Sequence, residues 1–226
     1  AGTIANHLDA ADPDTARRAA VLAKVDLASE MVGEFPELQG IMGGYYATAA
    51  GESADVADAL TQHYRPQGPT DEIPASQYGR IVALADKIDT LTGFFGIGSK
   101  PTGSRDPFAL RRAALGVLRI IDEGNLDVSI DALLADSTAL HISAGHRVDA
   151  HSKDAEAHHA DLSEFILERL RVSLRESGIK HDVVAAVLAM APEGAVGNIR
   201  LWRRLARALD SFLSSDDGRL LAGGWR

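Results

Sequence analysis

The sequence predicts an all-α fold in two unequal parts, and three observations carry the prediction. Apolar residues recur at helical spacing through most of the 226 residues. Aromatics make up only 5% of the chain, and the alternating β-branched runs that mark strands are scarce. Ala and Leu, both strong helix formers, fill the apolar positions.

The elements follow in order. Asp12-Pro13 reads as a helix start with Pro in the first turn. That helix is expected to run over 13–32, to bury Val21, Val25, Ala28 and Met31, and to break at Phe35-Pro36. Further helices are expected over 38–50, stopped by Gly51, and over 52–63, ended by Pro66. A Pro- and Gly-rich loop fills 65–74. A helix from about 76 carries Ile81, Leu84, Ala85, Ile88 and Leu91 toward the core and fades in the glycine run 93–103. Asp106-Pro107 signals the next start, with a stop at Gly124, and a short helix follows over 126–135. Composition then shifts: 141–160 is rich in His, Asp, Ser and Ala, and is read as a connector between domains at 1–140 and 161–226. The second part holds amphipathic helices over 161–176, 181–190 and 196–213.

The chain is 46% hydrophobic and 24% charged, the balance of a soluble globular protein. It has no cysteine, which excludes disulfides and thiolate metal sites and fits a cytoplasmic setting. No apolar run nears the roughly 20 residues that span a bilayer. The first residue is Ala and the last helix pattern runs to the end, so a piece of a longer protein is expected. A net charge of -9 argues against bulk electrostatic binding of nucleic acid; any contact with RNA must use local basic patches.

Four segments are candidates for chemistry. Residues 19–27 (AAVLAKVDL) and 83–91 (ALADKIDTL) resemble scaffold helices of the HD-superfamily metallophosphohydrolases. In those enzymes a distant His, an adjacent His-Asp pair and a later Asp hold the ion that makes hydroxide from water. Here Val25-Asp26 stands in place of the pair, and valine cannot bind metal. Asp26, His63, Asp86 and Asp89, with a lone His7, are expected to be remnants of a degenerate site holding no metal. His141, His146, His151, His158 and His159 are irregularly spaced, as in a solvated connector. Residues 96–112 (GIGSKPTGSRDPFALRR) place Lys100, Arg105, Arg111 and Arg112 around a helix N-terminus that would favour anions. They suit either an RNA phosphate or salt bridges within their own domain. Arg200, Arg203, Arg204 and Arg207 fall at i, i+3, i+4 and i+7, one helical face, with Leu201, Leu205, Leu209 and Phe212 expected on a buried opposite face. Such a stripe tracks phosphates or stays solvated. No nucleophile elbow, zincin motif or class II aminoacylation motif is present, so no catalytic residue is assigned.

Three stretches together resemble the β subunit of bacterial two-subunit glycyl-tRNA synthetases: 17–47 (RRAAVLAKVDLASEMVGEFPELQGIMGGYYA), 84–114 (LADKIDTLTGFFGIGSKPTGSRDPFALRRAA), and 161–189 (DLSEFILERLRVSLRESGIKHDVVAAVLA) with 201–223 (LWRRLARALDSFLSSDDGRLLAG). EFPELQG and PTGSRDPFALRR are long and compositionally unusual. Gly44 departs from the pattern, standing where a basic residue is expected in MGxYYA. The resemblance implies an HD-like helical domain, then the start of a smaller bundle similar to the anticodon-binding domain of arginyl-tRNA synthetase. It implies a part that binds and positions tRNA(Gly) in an ATP-dependent glycine–tRNA ligase of α2β2 type. The α subunit would hold ATP and glycine; ATP and Mg would serve the whole enzyme, with no cofactor in this chain. Two other readings compete: an active HD-type metal-dependent phosphohydrolase, and a purely structural interaction module.

Overall fold

A computed structural model describes residues 1–8, 11–146, 155–192 and 195–223. Among them are twelve α-helices and no strand. They are α1 (Gly2–Leu8), α2 (Pro13–Leu22), α3 (Glu30–Glu34), α4 (Ile41–Ala49), α5 (Ala54–Gln62), α6 (Gln77–Gly96), α7 (Leu110–Glu123), α8 (Ile130–Ser143), α9 (Ala155–Glu176), α10 (His181–Leu188), α11 (Ile199–Ser214) and α12 (Asp216–Gly223). The all-α expectation holds. No described helix is long and apolar enough to cross a membrane.

Side-chain caps set many of the starts. Asp12 accepts from the Thr15 amide (2.8 Å), Ser76 from Gly79 (3.0 Å) and Asn198 from Leu201 (3.0 Å). The 20-residue α6 is the central element, packing on α5, α7, α8, α2 and α9. It buries Ile81, Leu84, Ile88 and Leu91 as the periodicity requires. One apolar core runs from Ile4 in α1 through α6, α7 and α8 to Leu162, Leu170, Val184 and Trp202. A smaller one lies under α2, α4 and α5. Each fully buried Leu or Ile contributes about 2 kcal/mol through its removal from water.

Several expectations change. The helix foreseen over 13–32 ends at Leu22, gives way to a 3-10 turn at Val25–Ala28, and resumes as α3. The break arises because the Asp26 carboxylate turns inward to accept from the Gly40 and Gly43 amides (2.6 and 3.1 Å), while Ser29 caps α3. The burial foreseen for Val21, Val25, Ala28 and Met31 is reversed: all four are exposed, and Ala16, Ala19, Ala23 and Val32 face inward. The helix foreseen at Pro107 begins at Leu110, after Ala109 in the left-handed region (φ 54°). α8 extends to Ser143 and takes His141 into regular helix; α9 begins at Ala155, inside the expected connector. Residues 147–154, which include His151, lie outside the described residues.

Candidate nucleic-acid interface

α11 carries the cationic face foreseen from sequence, but rotated. Ile199, Trp202, Arg203 and Ala206 are buried, whereas Leu201 and Phe212 are 44% and 45% exposed, the reverse of their expected burial. Arg203 is therefore not a surface cation. Its Nη2 donates to Ser173 Oγ (2.8 Å) and its Nε lies 3.4 Å from the Asp122 carboxylate, tying α11 to α9 and α7. Burial draws its pKa below that of a free guanidinium, and Asp122 opposes the shift. Arg200 donates to the backbone oxygen and Oδ1 of Asn125 (3.3 and 3.1 Å). Arg204 and Arg207 are exposed, and neither forms an ion pair among the described residues.

The segment leading into α11 is held as firmly as the helix. Asp131, in the first turn of α8, accepts from the Val196 and Gly197 amides, both at 2.8 Å. Two successive amides converge on one carboxylate because Gly197 adopts φ +70°, a conformation that favours glycine. Trp202 Nε1 closes the turn on the Val196 carbonyl (2.8 Å).

The other basic cluster is partly consumed by its own fold. Lys100 is ion-paired with Asp161 of α9. Arg111 donates to the Gly103 carbonyl (2.7 Å). The open helix N-terminus foreseen for an anion is filled: Asp106 accepts from the Leu110 and Arg111 amides (2.8 and 2.9 Å). Phe94 stacks on Phe108 (4.0 Å between centroids) and fixes the loop. Arg105 and Arg112 remain exposed.

The four remnant residues each take their own partners. Asp26 is buried and spends Oδ2 on two amides. His63 is fully buried, and its Nδ1 donates to the Leu60 carbonyl (2.7 Å). Burial lowers its pKa, favouring the neutral ring. Asp86 pairs with Lys24, and Asp89 lies 3.0 Å from His141 Nε2. Val25 points to solvent. Among the described residues no three His, Asp or Glu side chains gather within metal-binding reach, so the residues do not fit the hydrolase ion. Asp86 and Asp89 instead line a cleft of about 390 Å³ between α1, α2, α6 and α8. The histidines take separate partners: His7 pairs with Asp136 (2.8 Å) and His159 with Asp131 (3.6 Å), while His146 packs its ring against His141 (5.7 Å). The side chain of His158 lies outside the description.

Sequence reasoning missed Lys87, Asp122 and Asp131. Lys87 is buried and donates to the Arg65 carbonyl (3.0 Å). The one available signal was Gly116, a glycine inside a strong helical pattern: a Cβ there would lie 2.6 Å from Lys87 Cε. Nothing local marks Asp122 or Asp131, because their partners are 81 and 65 residues away in sequence.

The family described as "Glycyl-tRNA synthetase beta subunit" matches residues 1–189. A glycine–tRNA ligase beta subunit from Cereibacter sphaeroides is 48% identical over 216 residues, covering 96% of this chain and 30% of that protein. Proteins of the same name from Phenylobacterium zucineum and Dinoroseobacter shibae are 47% and 45% identical, with 95% and 100% of this chain covered and 28% and 34% of theirs. The chain thus spans about 30% of the length of the curated relatives it matches.

Proposed function

The chain belongs to the glycyl-tRNA synthetase beta subunit family, and from this we propose that it binds and positions tRNA(Gly) within a glycine–tRNA ligase. In this reading, residues 1–140 form an HD-like helical domain, 161–226 begin an anticodon-binding-like bundle, and 141–160 connect them. An α subunit supplies the site for ATP, Mg and glycine in an α2β2-type cytoplasmic assembly, and this chain completes no active site.

The observation that carries the tRNA role is the outward pair Arg204 and Arg207 on a helix whose base is held by Asn125, Asp122, Ser173 and Asp131. Two guanidiniums one turn apart on a fixed helix meet phosphate oxygens with little further ordering cost. Arg200, half-buried beside them, extends the same edge. On a chain of net charge -9, such a patch localises contact instead of attracting RNA everywhere. Arg105, in the loop before α7, and Arg112, in its first turn, are also exposed; Lys100, Arg111 and Arg203 serve the fold.

The test is a filter-binding titration of glycine tRNA at two salt concentrations. Arg204→Glu with Arg207→Glu should weaken binding roughly tenfold or more at low salt and flatten the salt slope by about two. Arg105→Glu with Arg112→Glu should do so less. Unchanged affinity and slope in both double variants would remove the proposal.

A further inference from the structure

Helix α4 is built inside out. Its small residues Gly43, Gly44 and Ala47 face the core, and its large ones face water: Ile41 is 43%, Tyr45 68% and Tyr46 41% exposed. Close packing enforces this. A Cβ on Gly44 would lie 2.1 Å from Thr61 Oγ1, and one on Gly43 3.3 Å from Asp26 Oδ2. No larger residue fits the inward side, so the aromatic side chains cannot turn in. The segment before it repeats the inversion. Ala19, Ala23 and Asp26 point inward, while Val25 (58%), Met31 (42%) and Phe35 (47%) point outward. The 3-10 turn at Val25–Ala28 packs on both α3 and α4, so these six side chains lie on adjoining elements.

Isolated apolar residues on a surface are ordinary, but six large ones on neighbouring elements, rich in aromatics and Met, mark an interface. The charges at its margin are acidic: Glu30, Glu34 and Glu37 are exposed, and the nearby Lys24 is tied to Asp86. That margin repels a phosphate backbone. It suits a protein face that is apolar at its centre and carries Lys or Arg at its edge. A groove of about 250 Å³ between Ile41, Tyr45, Ala57 and Thr61 is large enough to take a side chain from such a partner.

We propose that this inverted face is the docking site for another portion of the same subunit. The relatives carry roughly 70% of their length outside the part matched here, so most of a relative's polypeptide is tethered to this module. Tethering raises the effective concentration of that surface, and permanently assembled interfaces are the ones that accept a face this apolar.

The test grafts the 226-residue chain in place of the matched region of the Cereibacter sphaeroides subunit. Nitration of Tyr45 by tetranitromethane is followed by peptide mass spectrometry in this chimera and in the 226-residue chain alone. Tyr45 should react roughly tenfold or more slowly in the chimera without any other subunit present. Phe35→Asp with Tyr45→Asp should lower the melting temperature of the chimera and leave that of the shorter chain unchanged. Equal nitration in both proteins overturns the proposal. So does protection that appears only when the α subunit is added, or protection in the shorter chain that grows with its concentration, which would assign the face to α or to a second copy. The nitration comparison needs no substitution, so a variant that fails to fold leaves it decisive.

Discussion

Lys87 shows how much one residue can hold without appearing in any motif. Its ammonium sits between α6 and α7 and reaches the carbonyls of Arg65 and Tyr64 (3.0 and 3.4 Å), fixing the chain after α5. Burial lowers its pKa from 10.5 to about 8. Between those values the folded protein binds fewer protons than the unfolded chain, so stability should rise as pH climbs from 8 toward 10.5. The full shift corresponds to about 3 kcal/mol. Tyr64 works in the opposite sense. Burial first, then Asp26, pushes its pKa up to about 12, so stability should fall again above pH 10. Urea midpoints measured from pH 7 upward should therefore pass through a maximum near pH 10. In Lys87→Met the rise should disappear while the fall remains. A wild-type midpoint that is flat from pH 8 to 10 would contradict the account.

At the scale of elements, the informative cases are helices whose period is plain from sequence but whose phase is not. α11 shows the 3.6-residue pattern clearly, yet two apolar stripes compete for the core. The packed one includes Arg203, since Asp122 and Ser173 supply partners that no local rule reveals. α2 ends at Leu22, short of its expected length, for a similar reason. Asp26 finds two amides 14 and 17 residues ahead, and satisfying that carboxylate outweighs continuing the helix. The approach to α11 depends on Asp131 in the same way. Asp131→Ala should leave the Val196 and Gly197 amides without acceptors and cost about 3 kcal/mol. Amide exchange at Val196 and Gly197 should accelerate, and tRNA affinity should fall although Asp131 meets no RNA. Exchange at the wild-type rate would show that Asp131 does not hold the segment.

Across the whole molecule, the two parts foreseen at 1–140 and 161–226 bury their apolar faces in one continuous core. Such sharing predicts a single cooperative transition. Both tryptophans stand late in the 226-residue sequence, at positions 202 and 225, so fluorescence reports on that end while far-UV circular dichroism reports on every helix. The two urea curves should coincide. A fluorescence transition that precedes the helical one would mean that the C-terminal helices unfold as a separate unit.

The sequence by itself determined the helical class, the starts of α2, α5, α6 and α10 to within two residues, and the family. Capping residues, breakers and unusual strings such as PTGSRDPFALRR act over a few residues and can be read there. It also pointed to the right helix for the basic face. Tertiary structure alone decided which arginines on that helix are free, which side of α2 and α4 meets the core, and where the buried carboxylates find their partners. Those outcomes turn on contacts between residues far apart in the chain: Thr61 against Gly44, Asp122 beside Arg203, Asp26 under Gly40. In each case, close packing and the cost of an unpaired buried charge outweigh what the local pattern prefers.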